Sequence, residues 1–407
     1  MLSRRDVRLH AVSLAVASWV VFAWLHAVSG ALDRFGTLRG VDFLQFYAAG
    51  QIVAEGRGHE LYDWDRFDAR LPHLVEGAGD VLYLPVYPPQ LALFFAPVAT
   101  QPYLQALAIW TLLSAALYAA AVILVLRLFP GLRRYQVEVW ALAIGFPPFV
   151  QLIAHGQVTA LAILPLLWAF VAFRSGQLWL AGLAFALLAF KPQLGSFALA
   201  AIVLRPSASL IAGLFFGLLM QCLAILAVLG REVLFDYWDV LCRLMARPEG
   251  FEPKTWAMHG LRAALELLLG RGPLVIALWA AGVVMTLWLA RRAWHAHAST
   301  EARFAVICFA GLVINPHIYV YDLVLMAVPL ACLAAWLLDR GSPADVPVAR
   351  MAYALVWLPL LGPVVEFTRV QPTPLVIIAV LWMMGRSRAS TAAAPSSSGR
   401  PQSMGEQ

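Results

Sequence analysis

Ionisable residues are scarce in this sequence, and a few of them stand where chemistry could be done. Asp42 opens the stretch Asp42-Phe43-Leu44-Gln45-Phe46-Tyr47-Ala48-Ala49-Gly50, which sits in a polar interval between apolar runs. Lys191, one of only two lysines, His155, His317 and Asp322 each lie at or near the end of a short apolar run. A charge in the middle of a bilayer costs roughly 2.5–3.5 kcal/mol, so such residues usually face a wet cavity or a partner. A carboxylate is a suitable general base for a sugar hydroxyl, and lysine or histidine can meet the charge of a leaving phosphate. Each residue has a plainer reading: an N-cap for Asp42, a snorkelling side chain for Lys191, ordinary span-end histidines, and a helix-pairing role for Asp322. It is the combination on one face that favours chemistry.

The elements that must hold these residues are membrane helices. Of 407 residues 62% are hydrophobic and 13% charged, against about 45–50% and about 25% in soluble domains. The net charge of +6 rests on arginines clustered in short loops, which is a topology signal and not a nucleic-acid face. Four cysteines without a C-x-x-C suggest neither a disulfide framework nor a metal site. Apolar runs 9–32, 104–126, 137–153, 160–173, 178–190, 194–204, 210–229, 273–290, 304–314, 318–338, 351–365 and 375–384 predict about twelve crossings. Several are too short for a ~30 Å hydrocarbon core unless a cavity dips into the bilayer. Arginines flanking the first run place the amino terminus in the cytoplasm, and about twelve crossings then return the carboxyl terminus to the same side.

The fold class expected is therefore an all-α polytopic membrane protein with a single domain over 1–385. Residues 33–102 form an extracytoplasmic loop of juxtamembrane or re-entrant helices, 231–272 form a second such loop, and 386–407 form a disordered cytoplasmic tail. Phe43, Phe46, Tyr47, Gly50 and Val53 recur at helical spacing and predict a short amphipathic helix lying along the interface. Asp63-Trp64-Asp65 matches Asp-x-Asp, a pattern that holds metals in some sugar transferases, but reads better as a turn.

The order of motifs along the chain resembles glycosyltransferase family 87. It is carried by Asp-Phe-x-x-Phe-Tyr-Ala-Ala-Gly from Asp42, Leu61-Tyr62-Asp63, Tyr87-Pro88-Pro89, Gly156-Gln157, Lys191-Pro192-Gln193 and Asn315-Pro316-His317. The resemblance implies a C-type glycosyltransferase fold in a bacterial cytoplasmic membrane, with an extracytoplasmic site. It also implies transfer of a hexose, mannose first, from a polyprenyl-phosphate donor to a glycolipid or glycan acceptor with inversion. Asp42 is then the catalytic base. Lys191 and His317, with His155 nearby, would hold the donor phosphate. Gln45, Tyr47, Tyr87, Pro88, Gln157, Gln193, Asn315 and Tyr321 would line the cavity, and His259 in the unmatched second loop would touch the acceptor. No cofactor and no metal is implied. The competing readings are a lipid-linked-sugar flippase and a non-enzymatic envelope-assembly protein. Against the flippase, polar residues gather at one side rather than along a path, and no internal repeat is visible.

Overall fold

A computed structural model describes residues 4–75, 83–246 and 254–386. The expected tail lies outside the described residues. The described chain is helical. Among the described residues six helices are long and apolar enough to cross a membrane. In order they are α1 (Arg4–His26), Tyr103–Leu128, Ala208–Leu229, Pro273–Ala296, Val320–Arg340 and Pro343–Thr368. A bent pair, Gln136–Gly145 with Pro147–His155, makes a seventh if it counts as one span, with a 43° bend at the break. Pro147 and Pro148 explain the break, since proline removes a backbone donor and crowds the preceding turn. The rest of the twelve expected crossings correspond to shorter helices, among them Ala160–Arg174, Leu178–Phe190, Pro192–Leu204 and Thr373–Arg386. Large apolar side chains such as Val16, Val20, Phe215 and Leu219 are exposed along these helices. A surface of that kind calls for lipid, and the protein is a multi-pass membrane protein.

Two expected elements differ. The first helix begins at Arg4 and ends at His26 instead of reaching Leu32, where an isolated antiparallel bridge joins Leu32 to Leu38. The helix α2 (Phe43–Ala54) does not lie along a surface. Phe43, Leu44, Gln45, Phe46, Tyr47, Ala48, Gly50 and Ile52 are all buried. Apart from Gln45 and Gln51 its sequence has no polar side, and a helix that is apolar on most of its circumference belongs inside a protein. It packs against α3 (Trp64–Leu74) and against α4 (Pro89–Phe95), where a Cβ on Gly50 would come within 2.9 Å of the Phe95 carbonyl carbon. The Phe46 and Phe95 rings stack at 5.6 Å, and Trp110 closes on Phe95 at 4.9 Å.

Behind this layer the core gathers around Thr300–Ile314, whose residues from Phe304 to Ile314 are all buried. The helices Leu178–Ala186 and Ala208–Leu229 meet backbone to backbone: a Cβ on Gly182 would sit 2.1 Å from the Leu210 carbonyl oxygen, and one on Gly213 2.0 Å from that of Trp179. Paired glycines permit this approach where lipid supplies no hydrophobic drive between helices. At the end of the bundle away from Asp42, Arg4 and Arg8 both donate to Glu138, at 2.7 and 2.8 Å.

Candidate functional site

Asp42 is held in place before its side chain does anything. Its backbone N–H donates to the His155 carbonyl at 3.0 Å, which fixes the start of α2 to the end of the broken helix Pro147–His155. Gly156 caps that helix in the left-handed conformation at φ 66°, a region that favours glycine. A Cβ there would also lie 2.7 Å from the Phe43 Cβ. The Gly156 carbonyl accepts from the Trp110 indole at 3.0 Å, and the Tyr103 hydroxyl donates to the carbonyls of Arg39 and Gly40.

The Asp42 carboxylate does not cap its helix. Its Oδ1 accepts from the Tyr83 hydroxyl at 2.6 Å and its Oδ2 from the Gln157 amide at 2.8 Å. Gln157 in turn accepts at Oε1 from Lys191 Nζ at 3.1 Å and from the Val158 N–H at 3.2 Å. Lys191 gives its other two N–H groups to Thr159 at 2.9 Å and to Asp322 at 2.7 Å. Thr159 donates to the same Asp322 oxygen. The second oxygen of Asp322 accepts from the Tyr319 backbone N–H at 3.1 Å. A continuous polar chain therefore runs from Tyr83 through Asp42, Gln157 and Lys191 to Asp322, across five separate segments.

Aromatic rings wall this chain. Lys191 Nζ lies 5.1 Å from the Tyr321 ring centroid and 5.9 Å from that of Tyr87, within cation–π range. Tyr321 stacks on Tyr319 at 5.5 Å, and the imidazoles of His155 and His317 stand at the two ends of that stack, at 5.8 and 5.1 Å. His155 Nδ1 donates to the Gln151 carbonyl at 2.9 Å, which leaves Nε2 as the atom for a ligand. Burial, then the neighbouring Asp42 charge, push the Tyr83 hydroxyl well above its usual range, so it stays a donor. Burial raises Tyr87 as well, with Asp322 and Asp42 adding to it.

The expected site residues thus divide. Asp42, Gln157, Lys191, Tyr87, Tyr321 and His155 come together, and His317 joins through Tyr319. Asn315 is a strut: fully buried, it donates to the Gln193 carbonyl at 3.0 Å and accepts from the His317 N–H at 2.9 Å. Gln193 takes part there through its backbone. Gln45, Tyr87 and Pro88 border a small hollow beside the polar chain, shared with Tyr62 and Leu91. Tyr47 is turned elsewhere, its hydroxyl donating to the Gln101 carbonyl at 2.8 Å. His259 is not at an acceptor surface. It is 2% exposed, its Nδ1 lies 2.9 Å from the Thr373 hydroxyl, and its backbone N–H donates to Ile318 at 2.8 Å. It pins the second loop behind the 317–322 turn. Lys191, at 1% exposure, has all three N–H groups engaged and presents none to a phosphate. Asp63 caps α3 by accepting from the Arg66 N–H at 3.1 Å, which is the turn reading of the Asp-x-Asp.

Sequence reasoning missed Tyr83 and Thr159 and did not name the partner of Asp322. Thr159, two residues after Gln157 in a polar break between apolar runs, carried a usable signal; Tyr83, in an irregular loop, carried none.

The profile of glycosyltransferase family 87 matches residues 86–316. The chain belongs to that family. No curated protein and no solved structure matches it. As a family 87 member it is a membrane glycosyltransferase. The matched stretch takes in Tyr87, His155, Gln157, Lys191 and Asn315 and stops one residue before His317. Asp42 and Asp322 lie beyond its two ends, and hydrogen bonds to Gln157 and Lys191 bind both of them to this family 87 segment.

Proposed function

We propose that this glycosyltransferase moves a hexose, mannose as the first candidate, from a polyprenyl-phosphate donor to a glycolipid or glycan acceptor on the extracytoplasmic face of a bacterial cytoplasmic membrane. The observation that carries the reading is the half-buried Asp42 carboxylate, gripped on one side of each oxygen by Tyr83 and Gln157. Each carboxylate oxygen keeps a second lone pair for an incoming hydroxyl. Asp42 takes the proton of the acceptor hydroxyl as that oxygen bonds to the anomeric carbon. The bond from that carbon to the phosphate oxygen breaks on the opposite face, and the electron pair departs with the polyprenyl phosphate. His317 and His155 meet the charge that develops there. Inversion at carbon follows from this in-line path.

A C-type architecture of about twelve crossings, with the shorter helices counted as broken spans around the site, accommodates these steps. Arginine-rich short loops support the cytoplasmic placement of both termini. The test is transfer of labelled hexose from polyprenyl-phosphate hexose into envelope lipids of membranes lacking the endogenous protein. Asp42→Asn should lower transfer by about 10²–10⁴-fold with unchanged expression. Full activity in that variant removes the base. Translocation of the carrier without any new glycosidic product would favour a flippase instead.

A further inference from the structure

The three N–H groups of Lys191 are matched by three acceptors, one of them a charged partner that is itself 1% exposed. To turn the ammonium toward a donor phosphate would leave the Asp322 carboxylate buried without its cation, a rearrangement that buried ion pairs strongly resist. The same geometry settles the direction of the Gln157 amide. Its oxygen receives two donors, Lys191 and the Val158 N–H, so its NH2 group must point the other way, at Asp42. Asn and Gln amides are otherwise free to be exchanged end for end.

We infer that the Lys191–Asp322 pair, completed by Thr159, is a positioning device that holds the Gln157 amide against the Asp42 carboxylate and takes no part in binding the donor. The inference rests on the reading of Asp42 as the base, and it divides the labour among residues of that site. Asp322 anchors Lys191 from the turn after Asn315. Lys191 orients Gln157 from the break between Leu178–Phe190 and Pro192–Leu204. Gln157 fixes Asp42 at the head of α2. The four segments are far apart in sequence, so the alignment of the base depends on all of them packing together. A general base misplaced by about 1 Å can lose roughly 10² in rate.

Removing one charge alone risks misfolding, whereas removing both by near-isosteric groups is often tolerated. The variant to make is Lys191→Met with Asp322→Asn in the full chain, compared with wild type in three measurements. Binding of polyprenyl phosphate is followed by intrinsic tryptophan fluorescence. Transfer is split into kcat and the donor KM. The Asp42–Gln157 separation is read from a cryo-EM structure of the variant. Positioning predicts an unchanged dissociation constant and KM, a fall in kcat of roughly 10²-fold, and an amide that has left the carboxylate. A dissociation constant or KM raised tenfold or more makes Lys191 a donor ligand and overturns the inference. So does an amide still within hydrogen-bond distance of Asp42, whatever the activity. Those two results leave the enzymatic reading standing. That reading falls by a different observation: wild-type protein that binds polyprenyl phosphate and transfers no hexose.

Discussion

His259 shows how much a single side chain does at a distance from the reaction. Burial lowers its pKa to about 3, from about 6.5 in an unfolded chain, so the folded protein holds it neutral. The folded value is the depressed one, so the unfolded chain binds more protons below pH 6.5. Stability is thus complete above that pH and declines as the pH falls toward about 3, by roughly 1.4 kcal/mol per pH unit. Thermal midpoints in detergent at pH 7.5 and pH 5 should differ more for wild type than for His259→Gln, which cannot titrate. Equal differences would mean that this imidazole does not govern acid stability. The sequence made His259 visible as a polar residue in a conspicuous loop but said nothing of depth, and so suggested a ligand contact. Asp42, Lys191 and Asp322 were legible because a charge at the edge of an apolar run needs a partner, and Gln157 only through the family motif it belongs to. Which partner it takes was not, since the hydrogen bond from Gln157 to Asp42 spans 115 positions and leaves no local spacing to read.

At the scale of elements, the closest helix pair depends on two missing side chains. Gly182→Val would drive its Cβ into the Leu210 carbonyl, with Gly213 and Leu214 as the adjoining backbone. Overpacking of this kind costs about 1–3 kcal/mol or more, since backbone, not a flexible tip, must give way. Gly195→Ala is the control, because nothing stands within 4 Å of a Cβ there. A lower thermal midpoint for the first variant and an unchanged one for the second is the expected result; equal midpoints would discount the glycine contact. The misjudged depth of α2 belongs here too. Helical spacing picked out Phe43, Phe46, Tyr47, Gly50 and Val53 as one face, yet Leu44, Ala48 and Ile52 on the others are apolar as well. An element without a polar face has no side to offer water, and that was readable in the sequence.

Across the whole molecule, class and family were legible while the number of crossings was not. Composition alone demands a bilayer, because 62% hydrophobic residues exceed what one soluble core can bury. Helices of nine to fifteen residues such as Pro147–His155 and Ala160–Arg174 defeat counting, since hydropathy marks apolar runs and not where the backbone turns. Of the six long helices among the described residues, α1 is the least buried. Its main seam is with Gln136–Gly145, with Ala15 against Gly145, Trp19 donating to the Ile144 carbonyl at 2.9 Å, and Arg4 and Arg8 on Glu138, and His10 adds a contact to Tyr353 and Trp357. A strip held at several levels between Arg4 and Trp19 does not depend on the peptide link that follows it. Co-expressed fragments severed between Ser29 and Gly30 should find each other in the bilayer and copurify through a tag on either piece. Glu138→Gln should loosen that union, and fragments that never associate would show that the covalent tether, rather than the seam, keeps α1 docked.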